Sequence, residues 1–257
     1  MSDFDLVAAE FERHRALTDL ATQQITEAVL SLLKPAKVNL LDLGAGTGRL
    51  GRAFFNAQVR YVGVDTSYAM LDRFRVNSKS RNGSCPSLVQ ADGCFLPFGD
   101  GTFTAVLLAH VLSVSQNWQE LLAEACRVLD SDGFLILAQR VGPANGVDAQ
   151  LRGQLKTILA RMSIEMPEAG KMKRDARTWL GIAANSQEHI VAATWKLDCS
   201  PRDFINRHST GARFSGLPRD VQEESMRRLS EWAIARFGSL DASFAEEYRF
   251  ELDAFRF

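Results

Sequence analysis

Three aspartates, Asp42, Asp65 and Asp92, occur in the first half of this 257-residue chain, each near the end of an apolar run. The first is followed at once by the glycine-dense turn Gly44–Gly48. Carboxylates accept hydrogen bonds from hydroxyl and amino groups, and glycine lets a ligand approach the backbone closely. A helix that begins after such a turn presents unpaired N–H groups to the same space. These residues together predict a site for a nucleotide-sized ligand.

Part of the turn matches the fingerprint of dinucleotide-binding proteins, because Gly46 to Gly51 reads G-x-G-x-x-G. The match is weak by itself, since Asp42 lies two residues before Gly44 and would repel a pyrophosphate but favour an ammonium group. Asp65 lies 21 residues after Gly44, where a doubly wound sheet places an acid that accepts hydrogen bonds from ribose hydroxyls. A ribose does not identify the cofactor, so a nicotinamide-dependent oxidoreductase stays open.

The full string Asp42-Leu43-Gly44-Ala45-Gly46-Thr47-Gly48 resembles the first motif of the class I S-adenosylmethionine-dependent methyltransferases, in which the glycine turn cradles the amino-acid part of the cofactor. Residues 96–104 and 124–135 are also similar to stretches of small-molecule, type 11-like members, and the resemblance covers residues 38–138. It implies S-adenosylmethionine as cofactor and S-adenosylhomocysteine as product. The residues expected to bind the cofactor are Asp42, Gly44, Ala45, Gly46, Asp65, Thr66, Met70, Asp92, Gly93 and Ala109.

The roles of these residues differ. Asp65 is expected at the ribose, and Asp92 and the Gly93 backbone at the adenine. Met70 by itself fits the apolar core, and the resemblance adds a contact with the adenine. The same resemblance leaves two further possibilities open besides methyl transfer, namely an aminopropyl-transferring enzyme that uses the decarboxylated cofactor and a non-catalytic S-adenosylmethionine-binding module.

Alternating strands and helices position these residues. Apolar runs predict strands at 38–43, 60–65, 88–91, 104–109 and 134–138, the last after a turn at 130–133. Two late strands, near 189–197 and 248–254, complete a seven-stranded, mostly parallel, Rossmann-like α/β sheet with helices on both faces. We expect one domain over 1–257. It comprises a helical cover (1–34), a cofactor-binding core (35–140) and an acceptor side (141–257) with a mainly helical insertion after the fifth strand and the closing strands.

The predicted reaction is an in-line displacement of a sulfonium methyl group by an acceptor nucleophile, for which positioning alone supplies much of the rate. Where the acceptor must lose a proton, His110 is the first candidate for the base, because it follows the fourth strand at the ligand-binding edge. His14 is the second candidate. For His110 the alternative is a structural imidazole that is hydrogen-bonded to backbone.

Composition narrows the partners. Lys and Arg number 30 against 31 Asp and Glu, and this near-neutral charge disfavours nucleic acid as a partner. Four irregularly spaced cysteines predict reduced thiols in a cytoplasm. The spacing of the four histidines predicts no metal site, and no apolar run is long enough to predict a membrane span. The basic residues Lys171, Lys173, Arg174 and Arg177 predict a solvated face or a site for an anionic acceptor. The acceptor's identity and the oligomeric state stay open.

Overall fold

A computed structural model describes residues 17–33, 38–57, 59–78, 85–112, 115, 117–165, 169–209, 211, 214 and 216–257. The strands are β1 (Asn39–Leu43), β2 (Arg60–Asp65), β3 (Ser87–Gln90), β4 (Phe103–Ala109), β5 (Leu129–Val141), β6 (Ser186–Cys199) and β7 (Phe244–Arg256). The helices are α1 (Asp19–Leu32), α2 (Gly51–Asn56), α3 (Tyr68–Asn77), α4 (Trp118–Arg127), α5 (Val147–Arg161), α6 (Ala169–Ala183), α7 (Pro201–Ser209) and α8 (Arg219–Phe237).

The seven strands form one sheet in the order β3-β2-β1-β4-β5-β7-β6. The first five strands run parallel, and β7 pairs antiparallel with both β5 and β6. Helices α2, α3 and α4 connect parallel strands, as crossover connections require. This arrangement confirms the predicted Rossmann-like fold class, and it places the carboxyl ends of β1, β2 and β4 next to each other.

Each face of the sheet has its own core. On one face α1 and the neighbouring helices contribute Ile25, Val29, Phe54 and Phe74, all fully buried. On the other face α4 and α6 pack against the sheet and contribute side chains that are likewise buried, among them Leu122, Ala176 and Leu180. Burial on both faces explains why apolar residues dominate β1 and β4.

Helices α5, α7 and α8 form a third core away from the sheet, built around residues such as Leu151, Phe204 and Leu229. Helix α7 begins with a reciprocal cap, since Asp203 Oδ2 accepts the Ser200 backbone N–H at 2.9 Å and the Asp203 N–H donates to Ser200 Oγ at 3.2 Å. These three helices therefore form a small helical unit attached to the sheet through β5, β6 and β7.

The beginning of β5 differs from the prediction. The turn predicted at 130–133 is wrong, because these residues continue β5. Leu129, at the start of β5, pairs with Phe103 before an irregularity in the register. That irregularity absorbs the extra residues, as a bulge does. His14 and half of the predicted N-terminal cover lie outside the described residues.

Candidate cofactor and acceptor site

The turn after β1 is shaped by three glycines in the left-handed region. Gly44, Gly46 and Gly48 have φ values of +80°, +56° and +80°. A Cβ on Gly44 would lie 2.3 Å from Val111 Cγ2, and one on Gly48 would lie 2.1 Å from the Phe74 ring. Among the described residues, a Cβ on Gly46 would meet only the Gly44 carbonyl oxygen, at 4.0 Å. Gly44 and Gly48 are therefore required for packing, whereas Gly46 borders space that no described residue fills and that a ligand can enter.

Asp65 ends β2 and is bonded directly to this turn. Its Oδ2 accepts the Gly46 N–H at 2.9 Å, and its Oδ1 accepts the Ser67 N–H at 2.9 Å. The backbone adds to this link, since Gly44 and Ala45 both donate to the carbonyl of Val64, at 2.8 and 2.9 Å. The carboxylate predicted for the ribose thus lies at the edge of the turn, and the two bonds hold it in one orientation.

Asp42 lies beneath the turn, where only 3% of the residue is exposed. Its Oδ2 accepts the Tyr61 hydroxyl at 2.8 Å. Burial raises the pKa of the Asp42 carboxyl to about 7, with the Tyr61 hydrogen bond opposing and the Asp65 charge adding to the rise. The arrangement places a titratable acid directly below the glycine turn.

Tyr61 was not among the residues singled out from the sequence. Its ring reaches Asp42 across Gly63, where an added Cβ would lie 3.0 Å from the Tyr61 hydroxyl. Tyr61 pairs with Leu40 and Gly63 pairs with Asp42, so both pairs share one face of the sheet. The signal that would have found this contact is a tyrosine two residues before a glycine, in register with a buried acid.

The remaining cofactor candidates occupy different environments. Asp92 is exposed and its Oδ1 accepts the Cys94 N–H at 2.9 Å, while Gly93 is buried and a Cβ there would lie 2.4 Å from Leu121 Cδ1. Thr66 is exposed beside Asp65. Met70 is 2% exposed, and this burial favours its core role over contact with adenine.

Thr47 tests whether the turn fits the amino-acid part of a cofactor. The residue is 2% exposed, and its hydroxyl has no hydrogen-bond partner among the described residues. A buried hydroxyl without a partner costs about 1–3 kcal/mol, so a ligand that supplies a partner is favoured. The orphaned hydroxyl, the open space at Gly46 and the oriented Asp65 carboxylate fit a ligand with both a polar amino-acid end and a ribose.

His110 follows β4 directly and adopts a left-handed backbone with φ of +63°. Its N–H donates to the Ala138 carbonyl at 3.0 Å, and its ring lies edge-on to Phe250 with centroids 6.0 Å apart. Such a conformation costs a non-glycine residue on the order of 1 kcal/mol and is concentrated at functional sites. Ala109, the last residue of β4, is half-buried.

A cleft opens beside His110 at the carboxyl ends of β4 and β5. Its cavity volume is about 20 Å³, room for about one water molecule, and beyond this it opens to solvent. Its walls include Val111, Leu112, Gln139 and Lys173. Val111 also touches the turn, because its Cγ2 is the atom nearest to the Cβ position of Gly44. The cleft and the glycine turn therefore adjoin through one side chain.

The helix α4 motif has a structural role that the sequence did not reveal. Arg127 donates to the carbonyls of Leu96 and Phe98 at 3.2 and 2.9 Å and to Asp100 at 2.7 Å. Glu124 accepts from Arg127 Nε at 2.7 Å and from the Leu96 N–H at 2.9 Å. The pair fixes the loop that follows Asp92, so it supports the cofactor edge without facing it.

Over the described ranges, no group of three or more His, Cys, Asp or Glu side chains is arranged to hold a metal ion. No helix in the part of the chain that the structure describes is long and apolar enough to cross a membrane.

Known proteins resemble this chain in both sequence and structure. Residues 41–137 match the family model described as a methyltransferase domain. A demethylmenaquinone methyltransferase of Thermobifida fusca is 30% identical over 164 residues, which are 61% of this chain and 68% of that protein. An uncharacterised methyltransferase of Mycolicibacterium gilvum is 32% identical over 145 residues, or 55% of this chain and 50% of that one.

Solved structures share the fold at low identity. The YcgJ protein of Bacillus subtilis superposes with a TM-score of 0.59 at 17% identity, covering 91% of this chain and 99% of that chain. An S-adenosylmethionine-dependent methyltransferase of Thermotoga maritima superposes with a TM-score of 0.52 at 15% identity, covering 99% and 98%. The glycine turn, the oriented Asp65 and these relatives agree. The chain therefore belongs to the class I S-adenosylmethionine-dependent methyltransferases.

Proposed function

We propose that this enzyme transfers the methyl group of S-adenosylmethionine to a small-molecule acceptor bound at the open mouth of the cleft beside His110. The observation that carries the proposal is the shared wall at Val111, which touches the Gly44 position of the turn and also lines the cleft. A ligand bound on the turn is thereby adjacent to a ligand at the mouth of the cleft. An in-line displacement requires this adjacency of the two reactants.

Each residue then has a defined task. The cofactor supplies a methyl group on a positively charged sulfonium. Asp65, at the edge of the turn, accepts hydrogen bonds from the ribose hydroxyls and so orients the ribose. Asp92 accepts a hydrogen bond from the adenine amino group, and the Thr47 hydroxyl donates one to the amino-acid end. Asp42 places negative charge beneath the bound ammonium group when the carboxyl is ionised.

His110 is the residue we assign to proton removal. It lines the cleft, its backbone N–H donates to Ala138, and its imidazole packs edge-on against the Phe250 ring. A positioned imidazole contributes typically about 10²–10⁴-fold as a general base. The proton leaves the acceptor nucleophile for the imidazole as the bond to the methyl carbon forms.

Charge favours a small acceptor over nucleic acid. The net charge of −1 gives the whole chain no field that collects nucleic acid. The sequence also lacks, after β4, the Asp/Asn-Pro-Pro-Tyr signature of amino-methylating nucleic-acid enzymes.

The proposal is tested by following the methyl label. The protein is incubated with S-adenosylmethionine labelled on the methyl group and, separately, with a cell extract filtered to small molecules, with total RNA and DNA, and with denatured protein. We expect label in the small-molecule fraction only, and little label with His110→Ala. Label confined to nucleic acid or protein would contradict the proposal, and cofactor binding without transfer to any fraction would identify a binding module. Turnover of polyamines with the decarboxylated cofactor would instead identify aminopropyl transfer.

A further inference from the structure

A second cavity lies on the helical unit, between the start of α5, the end of α8 and the start of β7. Its volume is about 300 Å³, and small-molecule sites typically occupy about 300–1,000 Å³. No described residue that lines it also lines the cleft beside His110. The cavity is therefore a candidate for a ligand site separate from the site of methyl transfer.

Arg236 supplies positive charge at this cavity. It is exposed in the last turn of α8. Its Nε donates to Gln150 Oε1 at 3.1 Å, and its Cζ lies 5.6 Å from the centroid of the Phe237 ring. Both contacts orient the guanidinium without neutralising it, and no carboxylate among the described residues forms an ion pair with Arg236. Its remaining N–H groups can therefore donate to an anionic group in the cavity.

Glu246 places a carboxylate at the same cavity, where the chain holds it in position. Its Oε1 accepts the Val147 N–H at 2.6 Å, and its Oε2 accepts the Tyr248 hydroxyl at 3.2 Å. A Cβ on Gly146 would lie 2.7 Å from Oε2, so a glycine at this position leaves room for the carboxylate. Each carboxylate oxygen keeps a further lone pair, which can accept a hydrogen bond from an ammonium group.

Two aromatic rings form an apolar wall of the cavity. Phe237 and Phe244 both line it and are half-buried, with ring centroids 5.4 Å apart. Aromatic rings bury a large apolar area, and their faces also attract cations. The cavity thus combines one positive group, one negative group and an apolar surface.

We propose that this cavity binds a small zwitterionic amino acid with an apolar body. Its carboxylate pairs with Arg236, and its ammonium group pairs with Glu246. Its apolar part packs on Phe237 and Phe244. A ligand with a negative charge alone would be repelled by Glu246, and one with a positive charge alone by Arg236, so both charges together are favoured. This inference goes beyond methyl transfer, because it assigns a second ligand to the helical unit.

The test compares each of two amino acids with analogues that lack one of its charges. Leucine is compared with leucinamide and isocaproate. The second amino acid, ε-aminocaproate, has its charges farther apart and is compared with its amide and with caproate. Binding is measured by calorimetric titration into protein saturated with S-adenosylhomocysteine, so that the part of the cofactor site that takes an amino-acid group is already occupied.

Two variants each remove one charge from the cavity. Arg236→Met removes the guanidinium, and Glu246→Gln removes the negative charge but keeps an oxygen that can accept the Val147 N–H. Arg228→Met is the control, because Arg228 is exposed on the same helix and does not line the cavity. Thermal unfolding identifies a misfolded variant, and the two cavity variants test the site independently of each other.

We expect at least one of the amino acids to bind the wild type at least about 10-fold more tightly than either of its analogues. Arg236→Met should remove the preference over the amide, and Glu246→Gln should remove the preference over the analogue without the amino group. Arg228→Met should keep both preferences. The inference would be overturned if neither amino acid bound the wild type more tightly than its analogues. It would also be overturned if folded Arg236→Met and Glu246→Gln kept both preferences, or if Arg228→Met lost them equally.

Discussion

The cofactor edge and the helical unit of α5, α7 and α8, which we assign to the acceptor side, are constructed in different ways. At the cofactor edge the decisive contacts involve backbone atoms, as in the bonds from Gly46 and Ser67 to Asp65. On the acceptor side they join side chains that are distant in sequence. Arg207 donates to Asp148 at 2.5 Å across 59 residues, and Arg140 lies 3.6 Å from the same carboxylate.

The acceptor-side cluster also contains aromatic groups. The Arg140 guanidinium lies 4.5 Å from the centroid of the Tyr248 ring, and burial together with the nearby Arg207 lowers the pKa of Arg140. Arg140, Asp148 and Arg207 join β5, α5 and α7, so this network attaches the helical unit to the sheet. A backbone-built site restricts residue types at fixed spacing, whereas a side-chain network can be formed by many sequences.

The largest expected effect separates catalysis from stability at His110. His110→Gly should lower kcat by about 10²–10⁴-fold, because the imidazole is lost. The free energy of unfolding should change by no more than about 1 kcal/mol, since glycine adopts a φ of +63° without strain but costs more chain entropy. Initial rates and denaturant unfolding measure the two quantities. His189→Ala, at an exposed edge of the sheet, is the control. If His110→Gly and His189→Ala had equal rates, His110 would have no role in the chemistry.

A second comparison distinguishes packing from ligand access within the turn. Gly44→Ala should destabilise the protein by about 2–4 kcal/mol, because its Cβ would lie 2.3 Å from Val111 at a strained φ of +80°. Gly46→Ala should cost only about 1 kcal/mol for its backbone conformation, yet weaken cofactor binding at least about 10-fold. Chemical denaturation and cofactor titration test the pair. If Gly46→Ala bound the cofactor normally, the open space above Gly46 would not be part of the site.

The pH dependence of stability tests the buried acid beneath the turn. The pKa of Asp42 is raised to about 7 in the folded protein from 3.8, so the folded state holds a proton that the unfolded state has released. Stability should therefore fall as pH rises from about 4 to 7, by up to about 1.4 kcal/mol per pH unit, and then level off. Asp42→Asn should remove this slope. Unfolding measured from pH 5 to 8 checks it, and parallel profiles for the two proteins would contradict the account.

The same titration affects the cofactor. The ammonium group of the bound cofactor would lie above Asp42 and favour the ionised form of its carboxyl. Cofactor binding below pH 7 should therefore release a proton. Titration in buffers of different ionisation enthalpy detects that proton in the wild type, and Asp42→Asn serves as the variant in which it should disappear.

The smallest effect is expected on the acceptor side, far from the turn. Asp203→Ala removes the two hydrogen bonds from Ser200 that begin α7. The loss should be about 0.5–2 kcal/mol in the free energy of unfolding, with no change in cofactor affinity. Denaturant unfolding and cofactor titration measure both. A weakened cofactor affinity would mean that the two regions are coupled more closely than their separate cores indicate.

The sequence predicted the backbone-built region well. The first five strands and the glycine turn follow from apolar runs and from residue types that only certain backbones allow. The contact of Tyr61 with Asp42 was missed, because strand register decides which face-mates meet. The different environments of Lys171, which is exposed, and Lys173, which lines the cleft, were also missed, since a run of charges does not show which face of a helix meets the cleft. Side-chain partners across the sheet require the tertiary structure.

The most direct test of the cofactor site is a calorimetric titration of the wild type and Asp65→Ala with S-adenosylmethionine, S-adenosylhomocysteine and NAD. The account predicts micromolar binding of the first two ligands, no binding of NAD, and loss of binding in the variant, because Asp65 orients the ribose and anchors Gly46. Unchanged affinity in a folded Asp65→Ala protein, or binding of NAD alone, would contradict the assignment of the turn.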